Sequence, residues 1–341
     1  MKQQICVRAC LLSILAILCS AAPARAGLTF NFSYLLPTPV GVQNAFEQAG
    51  DIWSQHLLED VTVNIAVGFW TGSNGVALAD GANYSYSQVR SSLIQDAKSD
   101  TDFLAIDHLQ PGPALSFRIN RTANSPFGAG SATTYIDNDG DANNTQIAIT
   151  HANAKSLGLR DAHDPGRDAV ILIHTDYRDL GTAPVRLALH EIGHALGFLS
   201  GVDALDTNSS PGNMHDDDWF TYVSTMDLYR YSVVNPLLGT SIMDWSADTR
   251  DKYFSLDGGQ TKIASFARGD TWGNSIQASH WHNSGTGVMS YGPNLVTLPD
   301  IQVLDAIGWD TVLVPEPATW LLAALALAGS CFSRRKRPPI A

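Results

Sequence analysis

His190 and His194 stand four residues apart, with Glu191 directly after the first, in the stretch HEIGHALGFLSGVD. Residues four apart on a helix project from one face, one turn above the other. Two imidazoles so placed can bind one cation, and the glutamate between them is positioned to act as general base. Glu191 then takes a proton from water, whose pKa a zinc ion lowers. Leu189, Ile192, Ala195 and Leu196 supply an apolar face to hold such a helix against a core. Catalytic zinc ordinarily has three protein ligands and one open position, so a third ligand is required. Asp203, Asp206, His215, His280 and His282 are the downstream choices.

His280 is favoured because Met289 follows it in Gly287-Val288-Met289-Ser290-Tyr291-Gly292. HEIGHALGF, a long intervening segment, a His280-Trp281 pair and a turn carrying Met289 together resemble the leishmanolysin-type peptidases of the metzincin group. Most metzincins take their third histidine three residues after a glycine. Here Gly197 is present, but Ser200 occupies that place. In the leishmanolysin type an insertion displaces the third histidine. The resemblance covers Ala183 to Gly292. It implies His190, His194 and His280 as zinc ligands, Glu191 as base, Met289 as the turn methionine, and residues 200–279 as an insertion forming one wall of a cleft. Tyr291, two residues past Met289, is similar to the tyrosine of astacins and serralysins that binds zinc or steadies an oxyanion. Spacing alone does not separate His280 from His282, since both face one way on an extended segment.

Elements able to position this site are legible around it. Val42–Leu58 reads as an amphipathic helix through Val42, Ala45, Phe46, Ala49, Ile52 and Trp53. VTVNIAVGF, Val61 to Phe69, and AVILIH, Ala169 to His174, read as strands. A second helix is predicted over Tyr86–Asp100, and short strands over Ser116–Ile119, Thr133–Ile136 and Ile147–Thr150. The helix bearing both histidines is predicted over Thr182–Phe198, with Thr182 as N-cap and Pro184 in its first turn. A C-terminal helix is expected over Ile301–Ile307, stopped by Gly308. This order gives an α+β class, and with the resemblance a zincin-like domain in which a twisted sheet lies over the HExxH helix.

Asp137, Asp139 and Asp141 alternate around Gly140, an oxygen-rich pattern that suits calcium, although the glutamate closing an EF-hand loop is missing. Asp216, Asp217 and Asp218 form a second acidic group. Asp227 reads either as support for a zinc histidine or as a partner of Arg230. His151, His163 and His174 read as structural, and Trp281 and Trp309 as core.

The ends read as export signals. Residues 1–26 carry Lys2 and Arg8, an apolar run and Ala24-Arg25-Ala26, the pattern of a leader removed by signal peptidase. Residues 312–341 carry Pro315-Glu316-Pro317, an apolar segment from Ala318 to Phe332, and Arg334, Arg335, Lys336 and Arg337. This resembles the PEP-CTERM sorting signal of Gram-negative bacteria, which implies a transmembrane segment and processing by an exosortase. Residues 27–311 are then the catalytic domain. All four cysteines lie in the ends, so this domain has no disulfide and no thiolate ligand. Seven of the 21 basic residues also lie in the ends, leaving 14 against the 33 acidic residues found between Gly27 and Pro317, a net charge of −19. That balance argues against nucleic acid as a partner. The expectation is an exported zinc endopeptidase acting on protein or peptide. The alternatives are hydrolysis of a non-peptide amide, or a non-catalytic extracellular matrix or surface protein with a structural metal.

Overall fold

The computed structural model describes residues 27–208, 214–235, 240–291 and 295–312. The expected leader and the apolar C-terminal segment lie outside the described residues. Among the described residues no helix is long and apolar enough to cross a membrane.

The chain begins with β1 (Thr29–Tyr34), α1 (Val40–His56) and β2 (Thr62–Trp70). Helix α1 buries Val42, Ala45, Phe46, Ala49 and Trp53, the stripe its spacing predicts. Two short strands absent from the sequence reading follow, β3 (Gly75–Ala79) and β4 (Gly81–Ser85). Both start at glycine and are largely part-exposed, so neither shows the alternation that marks a half-buried strand. The single helix expected over Tyr86–Asp100 is two, α2 (Tyr86–Asp96) and α3 (Asp100–Asp107). Ser99 and Asp102 cap each other reciprocally, which starts a new helix there. Next come β5 (Phe117–Ile119), β6 (Tyr135–Asp137), α4 (Ala142–Thr145), β7 (Gln146–Thr150), α5 (His151–Ser156), β8 (Ala169–His174), α6 (Thr175–Leu180) and α7 (Val185–Ala195). Helix α7 is shorter than predicted. Its N-cap is Pro184 rather than Thr182, and no side chain caps it. Proline has no N–H to satisfy and its φ is already fixed, so it can open a helix unaided.

One sheet has the order β1-β2-β8-β3. β1, β2 and β8 run parallel, while β3 runs antiparallel to β8 and forms an edge. The central strands β2 and β8 are apolar and β-branched, as buried parallel strands must be. α7 packs against α1 and against β3. The indole of Trp53 in α1 donates to Leu189 O in α7 at 3.0 Å, which fixes the register of the two helices.

Beyond α7 come α8 (Val202–Leu205), two 3-10 turns at Asp217–Trp219 and Met226–Tyr229, and β9 (Arg230–Asn235), β10 (Thr240–Met243), β11 (Lys252–Phe254) and β12 (Ala264–Phe266). These strands form a second, antiparallel sheet of order β10-β9-β11-β12. Its inner side meets an aromatic cluster: Trp281 stacks on Phe266 at 4.9 Å and meets Phe198 edge-on at 5.1 Å. Helix α9 (Leu298–Ala306) closes the described chain. The architecture is mixed α and β, compatible with the α+β class read from the sequence.

Candidate metal centre

Helix α7 brings His190 and His194 together at 4.9 Å between ring centroids. His280 enters from the segment after β12, 5.0 Å from the His190 ring and 4.9 Å from that of His194. One ring nitrogen from each lies within 4.8 Å of the other two, and among the described residues this is the group of its kind.

The other nitrogen of each ring decides the chemistry. His190 Nδ1 faces Val288 O at 2.8 Å, His194 Nδ1 faces Phe198 O at 2.7 Å, and His280 Nδ1 faces Gln277 O at 3.2 Å. A carbonyl only accepts, so every Nδ1 carries the proton. Burial holds all three rings below the ordinary histidine pKa, His194 well below it and His280 down to about 3, with the charge of neighbouring rings adding to the effect at His194 and His280. The rings are therefore neutral, and each Nε2 presents a lone pair. His190 Nε2 and His280 Nε2 stand 3.1 Å apart. Two lone pairs at that distance repel unless a cation sits between them. Nitrogens about 2.1 Å from a tetrahedral ion lie roughly 3.4 Å apart, so the spacing fits a shared metal. The donor set is all imidazole, which suits zinc and other late first-row metals.

Glu191 is 4% exposed and lies beside this point. Burial pushes its carboxyl up to about 8, and the backbone N–H of Ala77 in β3 opposes that shift. Gly75 makes room for it, because a Cβ there would lie 2.5 Å from Oε1. The three histidines and Glu191 line a cleft of about 450 Å³, walled by residues that include Trp70, Asn74, Tyr177 and Leu187. Tyr291 is at its rim, 55% exposed and stacked on His280 at 4.8 Å.

The remaining choices for the third ligand are occupied elsewhere. Asp203 accepts from Ala278 N at 2.5 Å and from the backbone and hydroxyl of Ser279, so it anchors the segment that carries His280. Burial raises its carboxyl to about 6. Asp206 accepts from Thr271 N and Trp272 N at 2.6 and 2.9 Å. His215 stacks on Trp219 at 4.0 Å, and His282 Nδ1 lies 2.8 Å from Asn274. Of residues 200–279, those lining the cleft are Asp203, Gln277 and Ser279, so the long segment contributes its two ends to the wall.

Asp227 neither reaches a histidine nor forms an ion pair with Arg230. It accepts from Ser200 Oγ at 2.6 Å, Gly201 N at 2.9 Å, Ser224 N at 3.0 Å and Trp245 Nε1 at 3.0 Å. Ser200 is thereby a brace, and its N–H donates to Ser279 Oγ at 2.8 Å. Arg230, fully buried, donates to the carbonyls of Ala267 and Ala278 at 2.7 and 3.4 Å, which steadies the same segment.

Two supporting residues escape the sequence reading. Met289 packs under the helix at Gly193, where any Cβ would collide with its sulfur. The turn that holds it is fixed by Asp300 of α9. That buried carboxylate accepts from Trp281 Nε1 at 2.8 Å, Val288 N at 2.9 Å, Met289 N at 3.4 Å and Thr297 N at 2.8 Å. Gly287 is required because a Cβ there would meet the same carboxylate. Neither Gly193 nor Asp300 has a signal in local sequence, because their partners lie in other elements.

At the acidic loop, Asp137 is buried and Asp139 exposed, and Asp141 caps α4. His151, His163 and His174 bond to Arg167 O, Thr62 Oγ1 and Asp176 N, away from the cleft. Trp281 and Trp309 are buried.

The PEP-CTERM protein-sorting motif matches residues 313–337. No curated protein and no solved structure matches the chain. The motif covers the C-terminal tail alone, and it implies export, processing by an exosortase and C-terminal membrane anchoring at the envelope of a Gram-negative bacterium.

Proposed function

We propose that the protein is a secreted or surface-attached zinc endopeptidase with a zincin-type catalytic domain of the metzincin kind. The observation that carries this reading is the convergence of three Nε2 lone pairs beside a buried glutamate on the floor of an open cleft. His190, His194 and His280 would hold the ion. A bound zinc supplies a Lewis acid that polarises a carbonyl and eases the deprotonation of water. Glu191 accepts that proton at its carboxylate and delivers it to the leaving amine nitrogen. The hydroxyl of Tyr291, at the rim beside His280, donates to the carbonyl oxygen as negative charge develops there.

Strand β3 supports a peptide substrate over other amides. It is an edge strand, and Gly75, Val76 and Ala77 face the cleft. An extended chain can add to such an edge through backbone hydrogen bonds, with its scissile carbonyl carried toward Glu191. Structural zinc takes four protein ligands, whereas three converge here among the described residues.

The test is Glu191→Gln against wild type. Zinc content is expected to stay at one per chain and Tm near the wild-type value, while cleavage of a mixed fluorogenic peptide pool is lost. Cleavage that survives the substitution refutes the proposal. A wild-type protein that binds zinc and cleaves no peptide supports the alternative, a surface protein with a structural metal.

A further inference from the structure

Strand β1 is the other edge of the first sheet, and its partner among the described residues is β2 alone. The bonds from Thr29 N to Val61 O and from Leu35 N to Val67 O, both 2.9 Å, turn the odd-numbered residues toward β2. In a parallel ladder the alternate residues direct their N–H and C=O groups the other way. Phe30, Phe32 and Tyr34 therefore present a row of main-chain donors and acceptors at the open side, and every residue of the strand is at least partly exposed. Proteins ordinarily blunt such an edge with charge, proline, a bulge or brevity. β1 has six residues in unbroken register, and Leu28 to Leu36 holds no charged residue and no proline.

Helix α1 walls this edge in step with it. Ser54 Oγ donates to Leu28 O at 2.8 Å, a Cβ on Gly50 would meet the Phe30 ring at 3.1 Å, and the Phe46 and Phe32 rings are 5.8 Å apart. Four helix residues thus pass for every two strand residues, about 6 Å along the helix against about 6.6 Å along the strand. Between the two runs a groove of about 310 Å³, lined by Phe30 and Phe32 from the strand and by Glu47 and Asp51 from the helix. The two phenyl rings stack at 6.0 Å. Glu47 and Asp51 are exposed, and neither has an ion-pair partner among the described residues. The surrounding sequence supplies no cation, since Gly27 to Val89 holds five acidic residues and no lysine or arginine.

We propose that the β1 edge takes up an extended segment of a partner polypeptide that carries lysine or arginine at alternate positions. The added strand bonds to the outward N–H and C=O groups of Phe30 and Phe32. Its side chains on the α1 side recur about every 6.6 Å. Two successive ones therefore meet Asp51 and Glu47, one helical turn apart, while their methylene stems lie over the phenyl rings. A second copy of this chain fits the edge less well. Antiparallel pairing of two β1 strands sets both α1 helices on one face of the joined sheet, and brings Glu47 and Asp51 of each copy to a seam without a cation.

The experiment uses the full chain carrying Glu191→Gln, so that the probe stays intact whatever the cleft cleaves. The probe is a fluorescent octapeptide alternating lysine and threonine, read by anisotropy at about 0.15 M salt, where distant charges are screened, and by amide hydrogen exchange. Binding is expected to slow exchange at the Phe30 and Phe32 amides at least tenfold and to leave Asn31 and Ser33 unchanged. Glu47→Gln combined with Asp51→Asn, at exposed helix positions, should keep the Tm and weaken the peptide at least tenfold. Asp100→Asn combined with Asp107→Asn removes equal charge from exposed positions of α3, and should leave affinity within twofold. N-methylation of every second peptide amide should abolish binding in one phase and spare it in the other. Absence of binding overturns the proposal, as do equal losses in the two double variants or protection at Gly75 and Ala77 in place of Phe30 and Phe32. A chain that sediments as a dimer, with Phe30 and Phe32 already protected before peptide is added, overturns it in favour of a second copy.

Discussion

Replacing Asp300 by asparagine tests whether α9 holds the candidate metal centre through the turn at Met289. Asp300 Oδ1 accepts from Trp281 and Met289, and Oδ2 from Val288 and Thr297. An asparagine keeps one of these oxygens. Whichever way the amide turns, its NH2 faces N–H donors in a buried site. Hydrogen bonds to a charged group contribute about 1.5–3 kcal/mol each, and a donor left unpaired costs about 1–3 kcal/mol. A net loss of roughly 3 kcal/mol follows, or about 6–10 °C in Tm for a domain of this size. Val288 also supplies the carbonyl that orients His190, at 2.8 Å. Loss of such outer support typically lowers metal affinity about 10–100-fold. The assay is a zinc competition against a chromophoric chelator, alongside thermal unfolding of the metal-free protein. Asp305→Asn is the control. It lies on the same helix and is buried, but it accepts from Ser99 Oγ and Thr311 Oγ1 at 2.6 and 2.7 Å, away from the turn. It should lower Tm and leave zinc affinity unchanged. Zinc affinity within threefold of wild type in Asp300→Asn, despite a lowered Tm, would refute the coupling.

His280→Ala should weaken zinc by more than the roughly 100-fold that loss of outer support costs, while His282→Ala leaves it nearly intact; equal losses would show the ring at 280 is no ligand. Gly193→Ala forces a Cβ into Met289, and overpacking of this kind costs about 1–3 kcal/mol, read as a Tm several degrees lower. Glu59→Gln should flatten the pH dependence of stability. Both Glu59 oxygens are buried without a partner from another residue, and burial raises the carboxyl to about 9. Between its unfolded pKa near 4.3 and 9 the native state holds a proton the unfolded chain has lost. Stability therefore falls as pH rises through that window, by up to about 1 kcal/mol per unit after allowance for partial exposure. A wild-type Tm that stays level from pH 6 to pH 8 would contradict this.

Much of the local structure was legible because helix and strand periods are properties of short segments. The stripe on α1 and the apolar runs of β2 and β8 fall where composition puts them, and His190, Glu191 and His194 share a helical turn by spacing alone. Edge strand β3 was not legible, since a half-exposed GVALA has no alternation to find. The second sheet was hidden for a related reason: its strands are three to six residues long and find their partners at long range.

The sequence by itself determined two imidazoles and a carboxyl on one helical face, an acidic, cysteine-free stretch between the two ends, and a C-terminal sorting signal. These depend on residue type and short spacing, which the chain carries locally. Only the tertiary structure decided that the ring at 280 joins the pair, across 90 residues from His190. Spacing on an extended segment left His280 and His282 equivalent. The bonds of Asp203, Arg230 and Asp300 orient that segment and its turn, and they exist only once the second sheet and α9 have packed against α7.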